Sequence, residues 1–187
     1  MNQESPCLYT GECQIGTGDA REPQISQDVD SLAGKILRLT PEGKVPADNP
    51  FPNNPVFITG IRNTQGFDWY NPSTLFVTDH GPSGELGRRG EDKVSVLQAG
   101  DNMGWPAVEN CEAEAEFVRP SLVWREAAPP GGAAIYTGDA IPEWKGNLII
   151  GVAETKYEFK CRDVPWNVST GVLTSSQILF ILPISNA

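Results

Sequence analysis

Residues 58–106 read ITGIRNTQGFDWYNPSTLFVTDHGPSGELGRRGEDKVSVLQAGDNMGWP. Three glycine-containing turns interrupt short apolar runs here: GIRNTQG at residues 60–66, TDHGP at 78–82 and GDNMGWP at 100–106. Short apolar runs separated by such turns are typical of β-strands. Each turn places polar or charged side chains beside glycines, so we predict a ligand site at the ends of rigid strands.

The rest of the chain favours the same all-β class. With 187 residues and 39% hydrophobic composition, residues 1–187 can form one segment with a sizeable core. The 19 glycines and 16 prolines are spread throughout, which indicates frequent turns rather than long helices. Further strands are predicted at 34–39, 56–58, 93–97, 122–124 and 148–152, and the apolar run 177–184 is predicted to close or cap the fold.

The charge distribution argues against two classes of partner. The net charge of -10 disfavours nucleic acids and anionic membrane surfaces, which require basic patches. No apolar run approaches the ~20 residues of a membrane span, and residues 1–15 lack the features of a signal peptide.

The cysteines leave two possibilities open. Cys7 and Cys13 could close a small loop in an oxidising compartment, or all four cysteines could be free thiols. Because no CxxC pair occurs, the sequence argues against a zinc site.

The three turns, in this order, resemble those of the soluble quinoprotein sugar dehydrogenases, the glucose/sorbosone dehydrogenase family. The resemblance covers residues 16–151, and residues 152–187 diverge. It implies a six-bladed β-propeller that binds pyrroloquinoline quinone (PQQ) and calcium, oxidises the C1 hydroxyl of an aldose and passes electrons to an acceptor. It also implies a periplasmic or extracellular location. Since a propeller blade takes ~40–45 residues, we expect a partial β-propeller of about three to four blades.

The resemblance also implies roles for individual residues. Arg62 and Asn63 would contact the quinone oxygens, whose negative charge grows as they accept a hydride. The carbonyls of Gly81 and Pro82 would bind the catalytic calcium, and Trp124 would line the mouth of the substrate site. The alternative for the first four is a plain structural turn, and for Trp124 it is packing in the core.

The sequence departs from the family at several positions. No residue matches the family's catalytic histidine, and we interpret His80, the single histidine, as a turn residue paired with the backbone. Glu154 stands where the family has a lysine that pairs with a PQQ carboxylate, unless Lys156 takes that place. The sequences at 92–95 and 102–106 make the family's second calcium site doubtful, and the acidic segment 107–119 is predicted to be a solvated loop rather than a calcium site.

Three hypotheses follow. The first is a fragment or truncated relative of a PQQ- and calcium-dependent aldose dehydrogenase that lacks its catalytic base. The second is a catalytically inactive, propeller-like module that binds a carbohydrate or a protein. The third is a misread gene product with foreign sequence at both ends.

Overall fold

The computed structural model describes residues 11–87, 89–108, 114–124 and 126–152, together with the backbone of three later strands. The described part consists of strands joined by turns and three short 3₁₀ helices. The strands are β1 (Cys13–Gly16), β2 (Ile36–Leu39), β3 (Val56–Ile58), β4 (Thr64–Asn71), β5 (Thr74–Asp79), β6 (Lys93–Leu97), β7 (Leu122–Trp124), β8 (Pro130–Ile135), β9 (Asn147–Val152), β10 (Phe159–Arg162), β11 (Ser169–Thr174) and β12 (Gln177–Pro183). The 3₁₀ helices are Pro23–Gln27, Glu85–Gly87 and Pro142–Trp144.

The strands form three antiparallel sheets. The first has the order β1-β2-β3, the second β10-β7-β6-β5-β4 and the third β11-β12-β9-β8. The described residues contain no α-helix, which confirms the all-β prediction. One sheet per blade gives three blades, within the predicted three to four.

Strands β1, β4 and β8 are edge strands, and β4 contacts both of the others. A Cβ atom added to Gly16 would overlap the side chain of Thr64, and one added to Gly66 would lie 2.9 Å from the carbonyl carbon of Gly132. Glycine is therefore required for these close approaches. The first and second sheets therefore meet along β1 and β4, and the second and third sheets along β4 and β8.

Two hydrophobic clusters lie between neighbouring sheets, and β5 contributes residues to both of them. Leu75 and Val77 pack in the cluster with residues of the first sheet, whereas Phe76 packs in the cluster with residues of the third. Successive side chains of a strand point to opposite faces, so a strand covered on both sides is buried at every position. All six residues of β5 are buried accordingly.

Most predicted strands are present, with some differences in extent. The strands predicted at Val56–Ile58, Lys93–Leu97 and Leu122–Trp124 have the same bounds in the structure. The last apolar run is a strand, but it lies inside the third sheet, where β12 pairs with both β9 and β11. Within the divergent part of the chain, β12 is therefore an internal strand, whereas β10 and β11 lie at sheet edges.

Cys13, at the start of β1, is disulfide-bonded. Of the two possibilities for Cys13, a disulfide and a free thiol, the structure shows the disulfide. The side chains of the other three cysteines lie outside the described residues.

Lys35 connects the first 3₁₀ helix to β2 from a buried position. Its side chain is fully buried, and the ammonium Nζ donates hydrogen bonds to the carbonyls of Ile25 (2.9 Å), Ser26 (3.0 Å) and Ala33 (2.7 Å). Burial lowers the pKa of Lys35 to about 8, and the nearby charge of Asp28 partly opposes this shift.

The lowered pKa of Lys35 predicts a pH-dependent stability. Between pH 8 and 10.5 the unfolded chain holds this proton and the folded protein does not, so the free energy of unfolding contributed by this group rises with pH. We expect a higher urea midpoint at pH 10 than at pH 8, relative to Lys35→Met measured in parallel. Equal pH profiles for the two proteins would show that Lys35 does not titrate in this range.

Candidate functional site

A buried carboxylate holds the turn that carries Arg62 and Asn63. Asp79, the last residue of β5, accepts hydrogen bonds from the backbone N–H groups of Asn63 (2.7 Å) and Arg62 (3.3 Å). The residue is fully buried, and burial raises the pKa of Asp79, while the charge of Lys93 and the two backbone donors oppose the shift. Asp79 thus fixes the start of β4 against the end of β5.

The Arg62 side chain joins this turn to the next one along the chain. Its guanidinium Nη2 donates to the hydroxyl of Ser83 at 3.1 Å, and Ser83 directly follows Pro82. The backbone N–H of His80 donates to the carbonyl of Asn63 at 3.1 Å. The structure therefore brings the turn at Arg62 and Asn63 beside the turn at Gly81 and Pro82.

A second buried carboxylate holds the Gly81–Pro82 turn. Asp92 accepts hydrogen bonds from the N–H groups of Gly81 (2.9 Å) and Ala128 (2.7 Å). The Pro82 carbonyl accepts a hydrogen bond from Gly90 at 3.0 Å, whereas no backbone N–H of the described residues donates to the carbonyl of Gly81. The hydrogen bonds with Asp92 and Gly90 therefore hold the turn that carries the two carbonyls in place.

Asp19 connects the same region to the third glycine-containing turn. Its backbone N–H donates to the carbonyl of Arg62 (2.8 Å), and its carboxylate accepts from the indole Nε1 of Trp105 (2.9 Å) and from the N–H of Arg21 (3.0 Å). Ala20 and Arg21 have φ values of 54° and 66°. Such values are uncommon outside glycine and occur where the surroundings fix the backbone.

These turns line an open cavity of about 330 Å³, here called the Arg62 cavity. Its lining is Gly18, Asp19, Ala20, Arg21, Arg62, Asn63 and Ser83. Two guanidinium groups, an amide and a hydroxyl supply hydrogen-bond donors, and both oxygens of the Asp19 carboxylate already accept hydrogen bonds from protein groups. This donor set fits a ligand that presents carbonyl or carboxylate oxygens.

The residues present fit calcium only in part. Carbonyl oxygens are suitable ligands, but calcium takes about six to eight of them, and Gly81 and Pro82 offer two. In the part of the chain that the structure describes, no cluster of three acidic, histidine or cysteine side chains could hold a metal. Most ligands of a calcium ion at this turn would therefore come from a bound molecule and from water.

His80 is not available as a base through Nε2. That nitrogen lies 2.8 Å from the carbonyl oxygen of Pro130 and must carry the proton to form this bond. The interpretation of His80 as a turn histidine paired with the backbone is confirmed. The bond ties the end of β5 to the start of β8.

Trp124 lies away from the Arg62 cavity. Its ring has 0% exposure and belongs to the cluster between the second and third sheets. This position corresponds to the core-packing alternative and leaves no exposed face for a sugar. Glu114 and Glu116 of the acidic segment are exposed, whereas Glu154 and Lys156 lie outside the described residues.

Four residues near the cavity were not singled out for a role from sequence. Asp79 and Asp92 are acids next to apolar strands, a pattern that signals a buried hydrogen-bonding role without showing the partner. Ser83 and Arg21 carry no sequence signal beyond their neighbouring glycines and turns.

Comparisons with known proteins place the chain among sugar dehydrogenases. A family model described as Glucose / Sorbosone dehydrogenase matches residues 8–162, a wider range than the 16–151 expected from sequence. The chain is 33% identical over 163 residues to the aldose sugar dehydrogenase YliI of Escherichia coli (strain K12), covering 76% of this chain and 42% of that protein.

Solved structures show the same fold. The apo-form of the soluble aldose sugar dehydrogenase from Escherichia coli aligns with a TM-score of 0.66 and 26% identity, covering 92% of this chain and 61% of that one. The PQQ-bound aldose sugar dehydrogenase from Streptomyces coelicolor aligns with a TM-score of 0.62 and 25% identity, covering 90% and 57%. The prediction of a partial β-propeller is confirmed, and the chain spans 42% of YliI and 61% and 57% of the two solved structures.

Proposed function

Because the chain belongs to the glucose/sorbosone dehydrogenase family, we propose that it forms part of the PQQ and calcium site of an aldose sugar dehydrogenase. The observation that carries the proposal is the hydrogen bond between Arg62 and Ser83, which ties the Arg62–Asn63 turn to the residue after Pro82. The chain spans 42% of the length of the similar YliI protein. The complete reaction is therefore proposed only for a protein that contains the remaining part of the propeller.

Bound PQQ with calcium would supply a quinone that accepts a hydride. In this proposal the Arg62 guanidinium and the Asn63 amide donate hydrogen bonds to the oxygens of that group. Donors fixed in advance stabilise developing negative charge without reorganising. The backbone N–H groups of both residues donate to Asp79, which fixes the turn, and the bond to Ser83 holds the Arg62 side chain. The carbonyls of Gly81 and Pro82 would contribute two oxygen ligands to calcium.

Oxidation at C1 of a sugar also needs a base to take the hydroxyl proton. The sequence has one histidine, and its Nε2 is engaged by the carbonyl of Pro130. A base is typically worth about 10²–10⁴-fold in rate. This observation favours the second candidate, an inactive module that binds carbohydrate or protein, for the chain acting by itself.

The expected result for the chain alone combines ligand binding with an absence of turnover. Calcium with PQQ at about a hundred times the dissociation constant adds ~2.7 kcal/mol to stability, a rise in melting temperature of about 5–10 °C. No aldose oxidation is expected with a dye acceptor present. Arg62→Met should remove the melting shift, whereas Lys145→Met, which removes an exposed cation paired with Asp139, should retain it.

Each outcome separates the hypotheses. Rapid aldose oxidation would mean that the chain contains a base we have not recognised. A folded protein with neither turnover nor a melting shift would support the inactive module.

The proposed compartment is an oxidising one, periplasmic or extracellular. The disulfide at Cys13 supports this location, because such bonds persist where thiols are not kept reduced. Among the described residues, no helix has the length and apolar character needed to cross a membrane.

A further inference from the structure

A second cavity lies at the opposite end of the strands from the Arg62 cavity. It has a volume of about 260 Å³ and is lined on one side by residues of the first sheet and its loops, and on the other by the end of β4, the turn that follows and residues just after β6. Arg62 and Asn63 precede β4, whereas Trp69 and Pro72 lie at its far end. At ~3.4 Å per residue, the two ends of β4 are about 20 Å apart, so this Trp69 cavity is a separate place on the protein.

One wall of the Trp69 cavity is aromatic and apolar. Trp69 is half-buried, and its ring meets that of Phe57 edge-on, with centroids 5.8 Å apart and planes at 62°. Pro72 is exposed beside them. An edge contact does not cover the whole indole face, so an apolar ligand surface can pack against it.

The other wall presents planar polar groups that are already held in place. Arg38 donates to the carboxylates of Glu12 and Asp48, and its guanidinium carbon lies 5.5 Å from the centroid of the Phe57 ring. The Asp48 side chain remains 75% exposed despite this bond. Gln98 adds an exposed amide to the lining. Donors and acceptors thus lie next to an aromatic surface in the same cavity.

We propose that the Trp69 cavity binds one neutral sugar ring. A pyranose has an apolar face of C–H groups for the indole and a rim of hydroxyls for planar amide, guanidinium and carboxylate groups. The lining contains the carboxylates of Glu12 and Asp48 and one guanidinium, that of Arg38, and this negative balance disfavours an anionic ligand. The volume is just below the ~300–1,000 Å³ typical of drug-sized ligands, which suits a single ring. This site would hold sugar without oxidising it, independently of the function proposed for the Arg62 cavity.

The test uses methyl β-D-glucoside, a sugar ring without a free C1 hydroxyl, so that binding cannot be confused with turnover. Calorimetry and saturation-transfer NMR on the whole chain should show saturable binding in the millimolar range. Trp69→Leu should weaken it about 3- to 10-fold, as expected for an aromatic contact. Gln98→Ala, at an exposed position that tolerates change, should weaken it as well.

Two controls locate the site. Tyr70→Leu removes the neighbouring aromatic ring, which does not line the cavity, and should leave binding unchanged. Arg62→Met should also leave it unchanged, so failure here and failure of the proposed PQQ site are distinguishable.

Three results would overturn the proposal. The first is no saturable binding of the glucoside. The second is equal affinity for sorbitol, which has the hydroxyls but no ring face. The third is binding of tetramethylammonium instead of sugar, which would identify a cation site at the same aromatic wall.

Discussion

Asp79→Ala is expected to lower the free energy of unfolding by about 3–5 kcal/mol, the range for removing one member of a buried charged pair. The substitution leaves the backbone N–H groups of Arg62 and Asn63 without their acceptor. It also removes a negative charge near Lys93, which is 1% exposed. Denaturant unfolding at neutral pH measures the change directly. The same variant should lose the melting shift with calcium and PQQ, because the Arg62–Asn63 turn is no longer fixed.

The matched control is another aspartate that pairs with a lysine. Asp139 and Lys145 form a surface pair in which the two side chains are 85% and 58% exposed. Exposed pairs contribute little, so Asp139→Ala should change stability by less than about 1 kcal/mol. A loss in Asp79→Ala no larger than in this control would contradict the assigned role of Asp79.

Gly81→Ala is expected to cost about 2–4 kcal/mol, at or above the upper part of the range for overpacking. A Cβ at this position would overlap the carbonyl oxygen of Gly90 and lie 2.6 Å from the carbonyl carbon of Glu91. Both are backbone atoms, so no side chain can rotate away to make room. The turn would have to move, carrying with it the two carbonyls proposed to bind calcium.

Gly132→Ala is the control for Gly81→Ala, because it changes the entropy of the backbone without introducing a steric overlap. A Cβ there would meet no heavy atom within 4 Å, and Gly132 is not among the positive-φ positions. We expect it to be nearly neutral in thermal unfolding, and to keep the calcium-dependent part of the melting shift that Gly81→Ala loses. If Gly81→Ala melts like Gly132→Ala and still responds to calcium, the tight packing at Gly81 does not control the site.

The positions of several strands could be predicted from the sequence. Residues 56–58, 93–97 and 122–124 are short apolar runs whose boundaries are set by local turn chemistry, and the structure has the same boundaries. Strand β8 was not predicted because PGGAAI contains glycine and proline and lacks strong β-formers. It is a strand because β9 pairs with it.

The turn residues Arg62, Asn63, Gly81 and Pro82 were likewise visible as local features beside glycines. The groups that hold these turn residues in place could not be identified from the sequence. Asp79 bonds the N–H of Arg62 across 17 positions of sequence, and Asp92 bonds Ala128 across 36. A carboxylate in a sequence can be read as solvated or buried, and only the pairing of strands decides which.

The position of Trp124 could not be decided from the sequence either. An indole can pack in a core or against a sugar, because one side chain has both an apolar body and a polar edge. The sequence by itself determined an all-β chain, its turns and the residue types at the cavity. The tertiary structure decided which of those side chains are buried and which meet, since burial and long-range hydrogen bonding depend on how the three sheets pack together.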